Sequence, residues 1–281
     1  MFPAIFAVES PPPLASETVF NLFGLDITNS MLFGLLVGLF ILIIFITAAS
    51  RMKVRGNSLF VYIIEVITVF MLDTIKGNFN GDEKKARKFL PMFTAFFLFI
   101  LLNNLFGLLP GMGGTVYVTT TEGIKYALLR PFTTDLNGTL ALAIIAMGTV
   151  WYYGVKEHGL VPHIKHYFSI MKPWWNPMNF LLGPLEIMTE LIRLATLALR
   201  LFGVIYAGEV LLHVITSLTG NFSWIATVPI IFMEIFFSAI QAYLFIMLSS
   251  VYLSISTTPL HEETNHSSPD SVKLETSVEK N

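Results

Sequence analysis

The chain has 281 residues, of which 54% are hydrophobic and only 13% charged, against about 25% charged in a soluble domain. Seventeen Lys and Arg oppose nineteen Asp and Glu with no basic patch, which excludes a nucleic-acid binder, a disordered chain and a soluble globular enzyme. The absence of Cys rules out disulfides, thiolate metal sites and thiol nucleophiles, and the 25 Phe point to a bilayer as the solvent.

A hydrocarbon core of about 30 Å needs roughly 20 mostly apolar residues per helix. Residues 1–29 carry no Lys or Arg and include Pro11, Pro12 and Pro13, so the basic start of a cleaved signal peptide is missing. Met31 to Ala49 is free of charge and is followed by Arg51, Lys53 and Arg55, which predicts a first span with its end at a cytoplasmic face. Residues 58–79 are also apolar but hold Glu65, Asp73 and Lys76, which predicts an interfacial helix instead of a span. Phe89 to Leu109 and Leu136 to Val155 read as further spans, joined by a polar connection over residues 110–135. A His-bearing connector, 156–173, then leads to Pro173-Trp174-Trp175-Asn176-Pro177.

Met178 to Thr219 and Phe222 to Ser256 are too long to stand upright. At 1.5 Å per residue they measure about 60 and 50 Å, so each must be tilted, bent or partly interfacial. The expected architecture is an all-α integral membrane protein. It has about five transmembrane helices plus an interfacial one, and the last two helices form a steeply tilted antiparallel hairpin. Residues 1–29 are then an extracytoplasmic segment, 30–256 the membrane domain and 257–281 a disordered cytoplasmic tail. The positive-inside rule sets the orientation. Eight Lys and Arg in residues 51–88, three in the 156–173 connector and two in the tail face two in residues 110–135. The N-terminus is expected outside and the C-terminus in the cytoplasm.

Two basic residues, Arg193 and Arg200, remain inside a hydrophobic helix. An arginine at the bilayer centre costs at least about 2.5 kcal/mol and cannot shed its charge. The same helix carries Glu186, Glu190, Glu209 and His213, and the last one carries Glu234 and Gln241. Glu186 and Glu190 lie within reach of Arg193 along the helix, which suits ion pairs that glue helices together. Arg200 has no acid three or four residues away. A turn at Gly220-Asn221 places Arg200 level with Gln241 and Glu209 level with Glu234. Glu209 and His213 share one face, and Arg200 points to the opposite side from Glu209. Two carboxyls at one depth with a histidine nearby suit proton passage, while an unpaired arginine facing away suits a carboxylate on another protein. Small residues Ala195, Ala198, Gly203 and Ala207 allow a partner helix to approach.

The run LALRLFGVIYAGEVLL at 197–212 resembles the signature of subunit a of the rotary F-type ATP synthases, which reads close to L-x-L-R-L-F-G-N-x-x-A-G-E. MEIFFSAIQAYLFIMLSSVYLS at 233–254 is similar to the family's second motif, and LLNNLFGLLPG and DLNGTLALA are weaker likenesses. The resemblance implies a non-enzymatic stator in a cell inner membrane that offers two half-channels to a rotating ring of c subunits and couples ion flow to ATP synthesis. It makes Arg200 the arginine facing the ring, Glu209 and Glu234 members of the outer half-channel, and Gln241 the polar residue at the arginine's level. Glu186 becomes an acid of the cytoplasmic side, with Glu190 beside it, and Asn103 and Asp135 become supporting polar positions. The implied partners are the c-ring, peripheral-stalk b subunits, lipid and protons, with Na⁺ as the other ion such a complex can carry; no cofactor, metal or nucleic acid is implied. Val204 stands where the family usually has Asn, and Arg193-Leu194 where Lys-Pro is common.

A secondary ion transporter or channel subunit is the alternative, and the lack of an inverted repeat counts against it. An intramembrane zinc enzyme fits poorly. His261 and His266 are five positions apart in a polar tail, about 140° off one helical face. His158, His163 and His166 read as solvated side chains or headgroup contacts.

Overall fold

A computed structural model describes residues 16, 18–22, 24–51, 58–109, 117–119, 125–127, 130–159 and 177–257. The expected tail beyond 257, most of the 156–173 connector, and His163, His166, His261 and His266 lie outside these residues. The order is a hairpin of β1 (Thr18–Leu22) and β2 (Leu25–Thr28), then helices α1 (Asn29–Arg51), α2 (Leu59–Asn78) and α3 (Glu83–Gly107). A second hairpin of β3 (Tyr117–Thr119) and β4 (Lys125–Ala127) and a 3-10 turn over Phe132–Thr134 lead into α4 (Leu136–His158). Helices α5 (Pro177–Thr219) and α6 (Ser223–Thr257) complete the described chain. The two small antiparallel hairpins are an addition to the expected all-helical chain. Thr18, Phe20 and Leu22 alternate before Gly24 at φ +85°, a hairpin pattern too short to register as a hydrophobic run.

Five helices, α1, α3, α4, α5 and α6, are long and apolar enough to cross a membrane. α2 is not among them, because Glu65, Asp73 and Lys76 interrupt it. It lies alongside α6 instead. Phe70 meets the Tyr243 ring at 5.9 Å, and Asn78 Nδ2 donates to Ser250 Oγ at 2.6 Å. A tight reversal joins α2 to α3, with Asn80 and Gly81 both at positive φ and the Gly81 N–H on the Lys76 carbonyl. Asp82 then caps α3 by accepting from the N–H groups of Lys84 and Lys85. That cap explains why α3 begins at Glu83, before the apolar run that marks the span. Glu83 is bonded to Arg87 at 2.7 Å and reaches Lys76 across the turn at 3.7 Å.

α5 and α6 form the expected antiparallel hairpin. Their 43 and 35 residues correspond to about 64 and 52 Å at 1.5 Å per residue, roughly twice the hydrocarbon thickness. Gly220, at φ +51°, makes the turn. Thr216 Oγ1 and Thr227 Oγ1 lie 3.5 Å apart, and Gly208 lies against Glu234, which is the facing register predicted from the turn. α6 is the central element and packs on α2, α3, α4 and α5. Its inward stripe, including Ser238, Ala242, Phe245, Ile246 and Leu253, meets Phe93 of α3 and Leu197 and Leu201 of α5 in one buried cluster.

The Pro131–Thr134 turn is held where α1, α3 and α4 converge. Phe132 N–H donates to Asn103 Oδ1 at 2.7 Å, and the Thr133 hydroxyl donates to Asn104 Oδ1. Asp135 accepts from Asn137 N–H at 3.0 Å, capping α4, and from the hydroxyls of Ser30 (2.8 Å) and Ser16. Gly34, Gly107 and Gly138, one on each of the three helices, are approached by Pro131 or Phe132 so closely that a Cβ does not fit without movement. Gly138→Ala should therefore set a methyl against the Phe132 carbonyl and ring and cost about 1–3 kcal/mol. Gly148→Ala, on the same helix with nothing within 4 Å, should be neutral or stabilising. Thermal unfolding of the two purified variants reads this difference, and equal midpoints would count against the packing described.

Candidate functional site

The structure divides the polar residues of α5 and α6 between an outward and an inward face. Leu197, Ala198, Leu201 and Ile205 of α5 are buried against the bundle, each at most 4% exposed. Thr196, Arg200, Gly203 and Ala207 follow one another at helical spacing on the opposite, exposed face. Arg200 makes no ion pair with any described residue. Ala195 and Gly203 are open as well, but Ala198 is 1% exposed and packs inward, so it does not belong to the approachable stripe. Large apolar side chains of the same helix are exposed with the stripe, among them Leu199 and Ile192, both more than half exposed.

Gln241 shares the depth of Arg200 but not its face. It is 3% exposed and points into the bundle with Glu234 and Ser238, at positions i, i+4 and i+7 of α6. Glu234 is 7% exposed and lies against Gly208, where a Cβ would stand 2.8 Å from Glu234 Oε1. The missing side chain at Gly208 is what lets a carboxyl sit between the two long helices. Glu209 comes next in sequence and His213 one turn later on the same face. Glu234 Oε2, Ser238 Oγ, Gln241 Nε2 and His213 Nε2 are all buried without a hydrogen-bond partner among the described residues.

Arg130 joins this cluster from the connection before α4. It is 3% exposed, its Nε donates to Thr134 Oγ1 at 3.0 Å, and its Nη2 donates to the Thr134 carbonyl at 3.3 Å. The same Nη2 stands 3.5 Å from Glu209 Oε2, an ion pair between a buried and a partly buried group. Sequence reading missed Arg130 because it counted there only as a charge on an outer connection. No periodic pattern surrounds it, and Pro131 beside it reads as punctuation.

The remaining expected residues fall elsewhere. Arg193 lies 5.2 Å over the Tyr252 ring and so bridges α5 to α6 through a cation–π contact. Glu190 is partly buried on α5, and Glu186 belongs to the same helix, its side chain outside the described set. Asn103 and Asp135 hold the outer turn, as described above, and their carboxyl or amide oxygens are taken up by backbone and hydroxyl donors. They reach the cluster through the turn they hold, not by direct contact with Glu209 or Glu234.

Residues 31–254 match the family described as ATP synthase A chain. The chain is similar to ATP synthase subunit a of Priestia megaterium, 33% identical over 82% of this chain and 92% of that one. It is similar to ATP synthase subunit a of Aliivibrio salmonicida, 30% identical over 90% of each chain. With ATP synthase subunit a of Desulfotalea psychrophila the identity is 37%, over 62% of this chain and 63% of that one. The two long helices with their separated polar faces lie within the matched region, and the chain belongs to the ATP synthase A chain family.

Proposed function

We propose that this multi-pass membrane protein is the stator through which protons pass to a rotating c-ring, so that their flow drives ATP synthesis. Arg200 carries the reading. It is a permanent cation on an exposed apolar helix face with no ion-pair partner among the described residues, flanked by small residues that admit another helix. Such a group is costly in lipid unless a carboxylate of a neighbouring subunit meets it.

Protons enter from outside along the inward cluster of Glu209, His213 and Glu234, with Ser238 and Gln241 continuing it along α6. Buried polar groups of this kind are where ordered water enters a protein interior, and water between them forms the transfer path. A ring carboxylate takes up the proton, becomes neutral and can face lipid, and after nearly a full turn releases it to a cytoplasmic path lined by Glu186 and Glu190. Arg200 stands between the paths, stabilises the passing carboxylate and blocks direct leakage. A charge falling through 100 mV supplies about 2.3 kcal/mol, so several must accumulate for each ATP.

The chain lacks the G-x-x-x-x-G-K-[ST] phosphate loop and performs no catalysis of its own in this reading. The peripheral-stalk b subunits hold it against the torque of the ring. The basic residues of 51–88 support a cytoplasmic side there, with the N-terminus outside and the C-terminus inside, and in this reading the membrane is a cell inner membrane. Residues 1–29 form the outer segment, 30–256 the membrane domain and 257–281 a cytoplasmic tail. The choice of H⁺ over Na⁺ lies mainly with the ring.

Arg200→Ala should abolish ATP synthesis and ATP-driven pumping in vesicles holding the assembled complex, and should let protons leak passively. Arg200→Lys keeps a charge but loses the planar fork, and should also fail. Near-normal synthesis by the alanine variant would sink the mechanism.

Glu209→Gln and Glu234→Gln should each slow pumping, and their losses should not multiply, since the two residues act on one path. Normal pumping by both single variants and the double would remove them from it. Gly208→Ala should leave folding intact, because a carboxyl end can move, yet slow pumping by displacing Glu234. An unchanged rate would show that the position of Glu234 is not critical.

A further inference from the structure

Two carboxyls, a histidine and one permanent cation share the inner cluster, and the geometry distributes them unequally. Arg130 is fixed from behind. Its Nε and Nη2 are both used on Thr134, whose hydroxyl in turn donates to the Pro131 carbonyl at 2.8 Å. That turn is bolted to α3 through Asn103, which accepts the Phe132 N–H, and Asn104, which accepts the Thr133 hydroxyl. A guanidinium so held has little freedom to follow a moving partner. It also stands 3.5 Å from Glu209 Oε2.

Glu234 faces no cation among the described residues. On α5 it lies against Gly208, with Glu209 next in sequence and His213 one turn further along. In α3 and α4, which pack on α6, residues 89–107 and 136–151 hold no Asp, Glu, Lys, Arg or His. A buried permanent charge requires a counter-charge, and removing one partner of such a pair leaves the other uncompensated.

We propose that Arg130 is a positioning residue that tethers Glu209 as its fixed counter-charge, leaving Glu234 as the carboxyl that takes up and hands on the proton. Glu209 then orients the path while Glu234 exchanges with water and with the ring. The division rests on the half-channel reading above and deepens it. It assigns Arg130 a role in conduction and gives the two acids different tasks.

The test uses the assembled complex in vesicles, with pumping expressed per copurified c-ring. Arg130→Gln should slow pumping about tenfold or more, and Arg130→Lys should recover much of the rate, since an ammonium can still meet Glu209. The double variant Arg130→Gln with Glu209→Gln should pump no more slowly than Arg130→Gln alone, because both halves of the ion pair are then gone. Glu234→Gln should be more damaging than Glu209→Gln.

Losses that multiply in the double variant, or a normal rate for Arg130→Gln, would overturn the tether. So would a Glu209→Gln loss exceeding that of Glu234→Gln. If Arg130→Gln fails to assemble, a double variant that assembles and pumps supports the tether. A double variant that also fails to assemble would make Arg130 a residue of the fold alone and overturn the proposal. Failure of the half-channel reading itself has a different signature, normal pumping by both single glutamine variants of the acids.

Discussion

Two helices twice as long as the hydrocarbon is thick cannot both stand upright in it, and most of the architecture answers to that mismatch. α5 and α6 must lie at a slant, and a slanted hairpin exposes backbone and side chains along a broad front. The remaining helices give that hairpin something to lean on. α6 is backed by α2, α3 and α4, so its inward stripe is packed nearly to completion. α5 is backed by α4, α6 and the outer turn and leaves one side open. The open side carries the single arginine of that helix face, and the backed side carries the acids. A slanted hairpin thus keeps a permanent cation and two carboxyls on different faces, and at different levels, so that they do not neutralise each other.

The short turn between α3 and α4 holds the hairpin in place. It is gripped by asparagines of α3, capped by Asp135 and tied through Ser30 to the start of α1. From this anchored piece a guanidinium extends to Glu209. Buried ion pairs seldom add net stability, because desolvation offsets most of their attraction. Their better-attested use is to fix arrangement, and that is how this one is placed, between a rigid turn and the middle of a long helix.

Much of this was legible in the sequence because the signals are local. Run length separates spans from connectors, and the charges of α2 set it apart from the five helices able to cross. Gly220 marks the turn of the hairpin, and once the turn is known the facing register follows, as the Thr216–Thr227 and Gly208–Glu234 contacts bear out. What was not legible depends on which way side chains point across elements. Depth places Arg200 beside Gln241, yet one is exposed and the other 3% exposed, because residues at one level of a hairpin can look in different directions. Ala198 reads like its small neighbours but packs inward. Arg130 gave no signal, since its partner lies far along the chain and a basic residue in a polar connection has an ordinary solvated explanation.

The glycines around the outer turn have a consequence for how such chains can vary. Gly34, Gly107 and Gly138 sit on three separate helices and are all moulded to the same two residues, Pro131 and Phe132. The segment from Arg130 to Asp135 therefore behaves less like an interchangeable loop than like a key cut for a three-sided lock. Grafting the corresponding stretch from a relative, without also carrying over the residues at 34, 107 and 138, would transplant the key alone. Any lineage that fills one of those glycines must trim the turn, and the turn cannot grow against three helices that already have no side chain to give up, so these five positions are free to drift only as a set.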